Sequence, residues 1–301
     1  MKTYTAAPVA GAKNFRTTLG EGALWESESE LLYFVDIDGQ AVHSYDPESG
    51  KHHYKKTGNK VSTVVKRAGH KQILIAVGHD LELIAQDLQW EAQRDFALLA
   101  KVPLDKSMRF NDGKCDAKGR FWCGTMALAE TEGAGELYKM ETDHTVSKQL
   151  SDVTISNGIC WSFDNKTMYY IDTPKGTVDA FDYDLDLGTI SNRRVVVNNQ
   201  WGGQFDGMTI DSQGNLYIAL WGGSKVIAIN PNNDKDKQLI ATIELPEVLN
   251  VTSCAFGGND LKTLFITTAT NQTDLKDYPN AGLLHQVSLN IPGLAAHQYR
   301  G

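Results

Sequence analysis

A short pattern of apolar and polar positions recurs along the chain. An apolar run is followed by a polar turn, a second apolar run rich in aromatic and β-branched residues, and a further run that ends in a turn. This pattern is typical of antiparallel β-strands, and no long segment with a 3.6-residue apolar period competes with it. The clearest copies are GALWESESELLYFVDIDGQAVHSYDPESG, DGKCDAKGRFWCGTM, NGICWSFDNKTMYYIDTPKGTVDAFDYD, DGMTIDSQGNLYIALWGGSKVIAINP and SCAFGGNDLKTLFITTAT, with VSTVVKRAGHKQILIAVGHDLELIAQD as a weaker copy. The sequence therefore predicts an all-β fold built from six similar units.

The spacing of these units favours a propeller. The polar turns that separate the first two strands of each unit fall at Ser29, Gly69, Gly119, Asn165, Gly214 and Asn259. The intervals between them are 40, 50, 46, 49 and 45 residues, which is a length typical of propeller blades. We therefore predict a six-bladed β-propeller that forms a single domain over residues 1–301, with a generic β-sandwich of coincidental turn spacing as the alternative.

The position eight residues before each turn carries an oxygen-bearing side chain in four of the six units. The four residues are Glu21, Asn111, Asn157 and Asp206, whereas units two and six have Val61 and Val251. The innermost strands of a propeller surround one central channel, so equivalent positions on them converge at one mouth. Asn-Gly and Asp-Gly are common turn sequences, but the shared repeat position favours a functional site over turn formation.

Two carboxylates and two amides in one cleft imply a cation or a polar ligand. Without one, the acids would repel each other and the amides would lack partners. Hard oxygen donors suit calcium, magnesium or manganese, and zinc is an alternative although no His or Cys occupies these positions. The sequence therefore predicts one divalent metal ion in the central channel, with calcium preferred over zinc, magnesium and manganese.

The remaining chemistry-bearing residues form no competing constellation. The histidines show no HExxH spacing, and most are expected at the surface or in turns. GxSxG, Walker and strand-linked GxGxxG motifs are absent from the sequence. The cysteines lie far apart in apolar surroundings, so buried reduced thiols are expected rather than a zinc or disulfide site: Cys115, Cys123, Cys160 and Cys254.

Composition and charge exclude several classes of partner. The 301 residues are 41% hydrophobic and 22% charged, which is ordinary for a globular protein, and the formal net charge is −8. Clustered Lys and Arg for a nucleic-acid surface are missing. The segment MKTYTAAPVAGAKNF has no apolar core of a signal peptide, and no run approaches the roughly 18 apolar residues of a membrane span. We expect a cytoplasmic protein, monomeric or weakly oligomeric, without nucleic-acid or membrane partners.

Five separated motifs resemble the SMP-30/gluconolactonase/luciferin-regenerating enzyme family. They are LGEGALW, RFNDGKCDAKGRFWCGTM, ISNGICWSFDNKTMYYIDT, FDGMTIDSQGNLYIALWGG and TSCAFGGNDLKTLFITTA, and the resemblance spans roughly residues 18–290. It implies a six-bladed propeller with a divalent metal in the central channel and hydrolysis of sugar lactones such as gluconolactone.

The resemblance also implies roles for individual residues around the metal. By motif, the metal ligands of the family fall on Glu21, Asn157 and Asp206, and Asp206 is in addition the general base. Many members have Pro where this chain has Phe205 before the Asp-Gly pair, and Pro where it has Ala23 after Glu-Gly. These departures lie beside the implied ligands and leave them intact.

Further family residues are implied to contact the substrate. The Arg and Asn of the RxNDGK motif fall on Arg109 and Asn111, and an acidic contact falls on Glu130 or, at a shifted register, on Glu132. Both glutamates lie in segment 127–136, which is longer than a hairpin needs and is a candidate lid over the channel.

The predicted function is a divalent-metal-dependent hydrolase that opens sugar lactones. Alternatives are a regucalcin-like calcium-binding regulatory protein, or a hydrolase of another lactone, ester, nitrile or organophosphate on the same scaffold. Asp112 is expected to have a structural role, either capping a turn before Gly113 or supporting Asn111.

Overall fold

A computed structural model of the protein describes residues 2–88 and 96–301. Two short strands come first, and the others follow in chain order in groups of three or four: β1 (Lys2–Thr5), β2 (Ala7–Pro8); β3 (Gly20–Glu26), β4 (Leu31–Asp36), β5 (Ala41–Tyr45), β6 (His52–Lys56); β7 (Val61–Lys66), β8 (Gln72–Val77), β9 (Asp80–Ala85), β10 (Ala97–Lys101); β11 (Met108–Cys115), β12 (Phe121–Ala127), β13 (Gly135–Met140), β14 (Val146–Val153); β15 (Ser156–Trp161), β16 (Thr167–Asp172), β17 (Thr177–Asp184), β18 (Thr189–Asn198); β19 (Gln204–Ile210), β20 (Leu216–Trp221), β21 (Lys225–Ile229), β22 (Leu239–Glu244); β23 (Asn250–Gly257), β24 (Thr263–Ala269), β25 (His285–Ser288).

These strands form six sheets arranged as the blades of a propeller. Each sheet is built mainly from consecutive antiparallel strands, numbered outward from the channel, and β1 and β2 add to the outer edges of two sheets. The innermost strands contact one another in a closed ring, β3 with β7, β7 with β11, β11 with β15, β15 with β19, β19 with β23, and β23 with β3. The predicted all-β, six-bladed propeller is therefore confirmed, and the first strand of every blade lines the channel.

The ring is closed by the amino-terminal strands. β2 pairs antiparallel with β25 and supplies the fourth strand of the last blade, while β1 pairs in parallel with β22 of the preceding blade. Pro8 is tolerated in β2 because this strand is outermost, where a missing N–H breaks no inner ladder. Joining the two ends of the ring in one blade ties the last blade to the start of the chain.

Helix contributes only short 3₁₀ turns to the described part of the chain, at Ala12–Asn14, Thr173–Lys175 and Lys235–Lys237. None of these approaches the length or apolar character of a membrane span.

The predicted turns lie between the first and second strands of each blade. At Gly69, Gly119, Gly214 and Asn165 the backbone is left-handed, with φ between 55° and 84°. Glycine and asparagine adopt this conformation at lower cost than other residues, which is why they recur at the marked positions.

Histidines depart from the sequence expectation in two blades. His43 and His285 are buried, so the expectation of surface histidines is wrong for them, because β5 and β25 are covered by neighbouring chain. His43 stacks on Phe34 at a centroid distance of 4.8 Å, and its Nδ1 lies 2.8 Å from Nε2 of His52. Burial lowers the pKa of His43 to about 3 and that of His52 to about 4, so both rings are neutral at pH 7.

These neutral rings predict a loss of stability in mild acid. The pKa of each ring in the unfolded chain is about 6.5, so the stabilisation is complete above that value and is lost as the pH falls. Below pH 6.5 each such ring lowers the free energy of unfolding by up to about 1.4 kcal/mol per pH unit. The test is urea unfolding of wild type and His43→Phe at pH 7.5 and 5.0. Between these two pH values the free energy of unfolding should fall by about 2 kcal/mol less in His43→Phe than in wild type. The same dependence in both proteins would contradict this, and His70→Gln, at an exposed position, is the control.

Candidate functional site

Every innermost strand is irregular at the repeat position marked in the sequence. The pairing register shifts between Glu21 and Leu24, Val61 and Thr63, Phe110 and Gly113, Ser156 and Ile159, Phe205 and Met208, and Val251 and Ser253. A β-bulge bends its strand and re-aims the side chain at the bulge. The bulges thus explain why side chains in the middle of a paired sheet can face the channel mouth.

The candidate residues meet in one pocket at this mouth. It has about 1230 Å³ of empty space, part of it open to solvent. Its wall contains all six residues proposed for the site, namely Glu21, Arg109, Asn111, Glu130, Asn157 and Asp206. Glu132 does not line this pocket, so the geometry favours Glu130 for an acidic contact at the rim.

Two buried acids, Glu21 and Asp206, line the same pocket and interact with each other. Glu21 and Asp206 are 7% and 5% exposed, and Oδ1 of Asp206 has no hydrogen-bond partner among the described residues. Burial, together with the charge of Asp112, raises the pKa of Glu21 to about 8. Burial and the charge of Glu21 also raise the pKa of Asp206 well above its usual range. Two such acids ionise together only when a positive charge lies between them.

A chain of hydrogen bonds fixes the two amides across three blades. Nδ2 of Asn111 donates to the Ser156 carbonyl at 2.7 Å and to Oδ1 of Asn157 at 3.2 Å. Nδ2 of Asn157 donates at 2.8 Å to the Thr173 hydroxyl, which donates at 2.8 Å to the carbonyl of Phe205. Oδ1 of Asn157 thus accepts one hydrogen bond, and an amide oxygen has two lone pairs, so it keeps the capacity to accept a second partner.

Arg109 completes this arrangement. Its Nη1 donates to Oδ1 of Asn111 at 2.5 Å and to the carbonyl of Phe110 at 2.9 Å. Burial lowers its pKa, and the charges of surrounding carboxylates, Glu21 first among them, raise it. A guanidinium stays protonated in such a setting and presents its remaining N–H groups to the pocket.

Buried aspartates at the ends of second strands position the ligand-bearing strands. Asp36, at the end of β4, accepts the N–H groups of Thr18 and Leu19 at 2.9 Å, just before β3. Asp172, at the end of β16, accepts the N–H of Ile155 at 3.0 Å, just before β15. Each carboxylate therefore holds the chain two residues upstream of Glu21 or Asn157.

Asp112 lies inside β11 and not at a turn, so the expected turn cap before Gly113 is wrong. Its Oδ1 accepts the N–H of Gly113 at 2.7 Å within the bulge, while Oδ2 has no partner among the described residues. The side chain lines a second, smaller cavity in the lower channel together with Lys114, whose Nζ donates to the carbonyl of Met208. Residues 294–297 cover this cavity from below.

The candidate lid connects β12 to β13. Residues 128–132 are exposed, and Leu128 and Glu130 lie on the pocket wall, with Glu130 in a left-handed conformation at φ 54°. Closure of this segment over the channel stays a prediction.

Sequence reasoning missed several residues of the pocket wall. Asp38 and Thr173 follow second strands and Trp221 ends one, and they lie seven to nine residues after the turn marks at Ser29, Asn165 and Gly214. Counting forward from the turns as well as backward would have found them. Lys60 and Asn271 carry no such signal, because they lie in connections between blades and after β24.

The cysteines agree with the expectation, since all four are buried free thiols. Within residues 2–88 and 96–301, no group of three or more His, Cys, Asp or Glu side chains is placed to hold a metal ion. The candidate set at the mouth has two carboxylates, and its further oxygen comes from the amide of Asn157. A metal ion there stays a prediction.

The sequence is similar to known proteins over most of its length. The sequence profile described as SMP-30/Gluconolactonase/LRE-like region matches residues 19–270. YvrE of Bacillus subtilis, a proposed sugar lactone lactonase, is 38% identical over 292 residues, covering 95% of this chain and 96% of YvrE. Regucalcin of Xenopus laevis is 38% identical over 295 residues, covering 94% and 95% of the two chains.

The fold is also similar to that of a solved structure from the same family. The crystal structure of a calcium-binding protein, regucalcin, from Agrobacterium tumefaciens superposes with a TM-score of 0.90 at 26% identity, over 100% of both chains. Sequence, architecture and the resemblance carried by the five motifs agree over nearly the whole chain. The protein therefore belongs to the SMP-30/gluconolactonase/LRE-like family.

Proposed function

We propose that the protein is a divalent-metal-dependent lactonase that opens sugar lactones. The observation that carries this proposal is the buried pair Glu21 and Asp206 at the channel mouth, beside an arginine held by Asn111. Membership of the family and the similarity to YvrE support hydrolysis of a lactone.

The residues present fit a divalent cation. An unpartnered carboxylate oxygen on Asp206, a second buried acid and the amide oxygen of Asn157 form a set of hard donors at one place. We assign Glu21, Asn157 and Asp206 as the ligands and calcium as the preferred ion. When bound, such an ion would polarise the lactone carbonyl and stabilise the oxyanion that develops on it.

The side chains supply the rest of the reaction. Asp206 accepts a proton as the oxygen of water bonds to the carbonyl carbon. The bond between that carbon and the ring oxygen then breaks, and Asp206 returns the proton to the ring oxygen, so the product is a hydroxy acid. Arg109 and Asn111 hold the carbonyl or a neighbouring hydroxyl in register, and Glu130 contacts the substrate from the rim.

A pH-indicator assay over a panel of lactones tests this function. We expect aldonolactones to be opened, EDTA to abolish turnover, and added calcium, zinc, manganese or magnesium to restore it to different extents. Turnover that survives EDTA would contradict metal dependence. Absence of turnover on every lactone, combined with tight calcium binding, would favour the second candidate.

That second candidate is a calcium-binding regulatory protein. The hard oxygen donors favour it, and the Agrobacterium relative is described as calcium-binding. It leaves Arg109 without a role, because a guanidinium beside a cation site weakens cation binding by repulsion. We therefore rank hydrolysis first, with esters or organophosphates as alternative substrates on the same site.

A further inference from the structure

A second polar cluster lies on the wall of the mouth pocket and shares no residue with the acid pair. It consists of Asp38, after β4, Lys60, in the connection between the first two blades, and Asn271, after β24. Nζ of Lys60 donates to Oδ1 of Asp38, and Nδ2 of Asn271 donates to Oδ2 of Asp38 at 2.6 Å. Side chains from two other loops thus bind the carboxylate of Asp38, and the cluster joins three separate loops.

The side-chain cluster is not needed to hold these loops, because the backbone already does so. The Lys60 carbonyl accepts the N–H of Gly78 at 2.8 Å, and the N–H of Ile37, next to Asp38, donates to the carbonyl of Leu19 at 2.9 Å. The N–H of Asn271 donates to the carbonyl of Thr18 at 3.2 Å. The three side chains therefore extend into the pocket from fixed loops.

The cluster also retains capacity for further hydrogen bonds. An ammonium carries three donors, and Asp38 uses one of those of Lys60. The side chain of Lys60 is 36% exposed and that of Asp38 is 30% exposed. Burial raises the pKa of Asp38, but hydrogen bonds from Lys60 and Asn271 outweigh it and lower that pKa, so the carboxylate is ionised at pH 7.

The chemistry of the cluster indicates the kind of group it would bind. A lone lysine would suit an anion, but here Asp38 neutralises the charge of Lys60. A paired ammonium and carboxylate beside an amide offers both donors and acceptors, which matches neutral hydroxyl groups. The same pocket is also lined by the apolar side chains of Met126, Leu128 and Trp221, which suit the C–H face of a ring.

We propose that Asp38, Lys60 and Asn271 form a subsite for hydroxyl groups on the ring of a lactone. This proposal rests on the lactonase function proposed above, with the carbonyl held near Asp206 and Arg109. The subsite selects polyhydroxylated lactones over unsubstituted ones, and it acts on binding and not on the chemical step.

Two lactones with the same six-membered ring test the subsite: D-glucono-1,5-lactone and δ-valerolactone, which has no hydroxyl groups. With the calcium-loaded enzyme, Lys60→Met should raise KM for gluconolactone about tenfold, as expected for loss of a charged hydrogen bond. Its kcat for gluconolactone and its KM for δ-valerolactone should change less than about twofold, because binding alone is affected. Equal effects on both lactones, or no effect on either, would overturn the subsite.

A matched control is available on the third blade. Lys148 pairs with Glu136 at 2.7 Å, with side chains 50% and 27% exposed, and lies outside the mouth pocket. Lys148→Met should leave both KM values unchanged, which separates loss of the subsite from loss of an exposed ion pair.

A second variant and a binding measurement keep the two proposals distinguishable. Asp38→Asn leaves the ammonium of Lys60 unneutralised, so kcat/KM for 6-phosphogluconolactone relative to gluconolactone should rise about fivefold; an unchanged ratio would contradict the pairing argument. If the wild type opens no lactone, the lactonase proposal fails. Binding of D-gluconate to calcium-loaded protein then decides the subsite by itself: tenfold weaker binding to Lys60→Met supports it, and equal binding overturns it.

Discussion

Replacing Asp206 by Asn should lower kcat for opening of gluconolactone by about 10³-fold while calcium remains bound. The substitution keeps the shape of the side chain and one oxygen at the position that we assign to the metal, but an amide cannot accept the proton of the attacking water. Removal of a general base costs about 10²- to 10⁴-fold. The measurements are steady-state kinetics at saturating calcium, and calcium occupancy by titration calorimetry on the same sample.

The control for this variant is Asp179→Asn. Asp179 is also a buried carboxylate, but it lies on β17, pairs with Arg193 and does not line the mouth pocket. Asp179→Asn should be less stable than wild type but should keep its kcat at a temperature where the variant is folded.

If Asp206→Asn kept wild-type turnover with calcium bound, Asp206 would not be the base. If it lost calcium altogether, its role as a ligand would outweigh its role in proton transfer.

Replacing Glu21 by Gln should weaken calcium binding by about 100-fold and reduce turnover accordingly. Residues that only support a ligand cost about 10- to 100-fold in metal affinity, so loss of a charged ligand should reach at least the upper end of that range. The change also removes the charge of Glu21, which raises the pKa of Asp206, so the metal-free protein should become more stable.

Thermal denaturation provides a readout independent of activity. A ligand at about 100 times its Kd stabilises the folded state by about 2.7 kcal/mol, so a 100-fold loss of affinity should nearly abolish the calcium-induced rise in Tm. Glu26→Gln is the matched control, because Glu26 is a buried acid at the other end of the same strand, where it accepts the N–H of Ser29 at 2.8 Å. Full calcium affinity in Glu21→Gln would remove Glu21 from the ligand set.

The two assignments depend on each other. Burial raises the pKa of both Glu21 and Asp206, the charge of Glu21 raises that of Asp206 further, and the charge of Arg109 opposes both shifts. A cation between Glu21 and Asp206 would be bound by both carboxylates. Asp206 has the additional role of general base, so Asp206→Asn and Glu21→Gln should differ in their effects on calcium affinity and kcat. The first should lose mainly turnover, and the second should lose both calcium and turnover.

Much of the fold could be read from the sequence because it repeats. The turns at Asn165 and Gly214 have a left-handed backbone, which few residue types adopt readily, so the local sequence indicates the turn. The regular spacing of such turns then indicates the blades. Counting eight residues back reached Glu21, Asn111, Asn157 and Asp206, and the structure brings these four to one pocket. A repeated fold converts a sequence interval into a spatial position, and this is the physical reason for the success.

The failures have a common physical origin. Burial of His43 depends on how β5 is covered, and the surroundings of Asp112 depend on a bulge inside β11, neither of which a linear pattern encodes. Closure of the ring by β1 and β2 was also missed, since these strands belong to no recognisable repeat.

The sequence by itself thus determined the all-β propeller, the number of blades, the family and the four channel residues, because each follows from a local pattern at a regular interval. Only the tertiary structure decided which further side chains share the mouth with them. Asp38, Lys60 and Asn271 come from three loops more than 200 residues apart at their extremes, and they meet because the ring closes the first blade against the last. Such contacts depend on the three-dimensional closure of the chain, to which the spacing of residues along the sequence gives no guide.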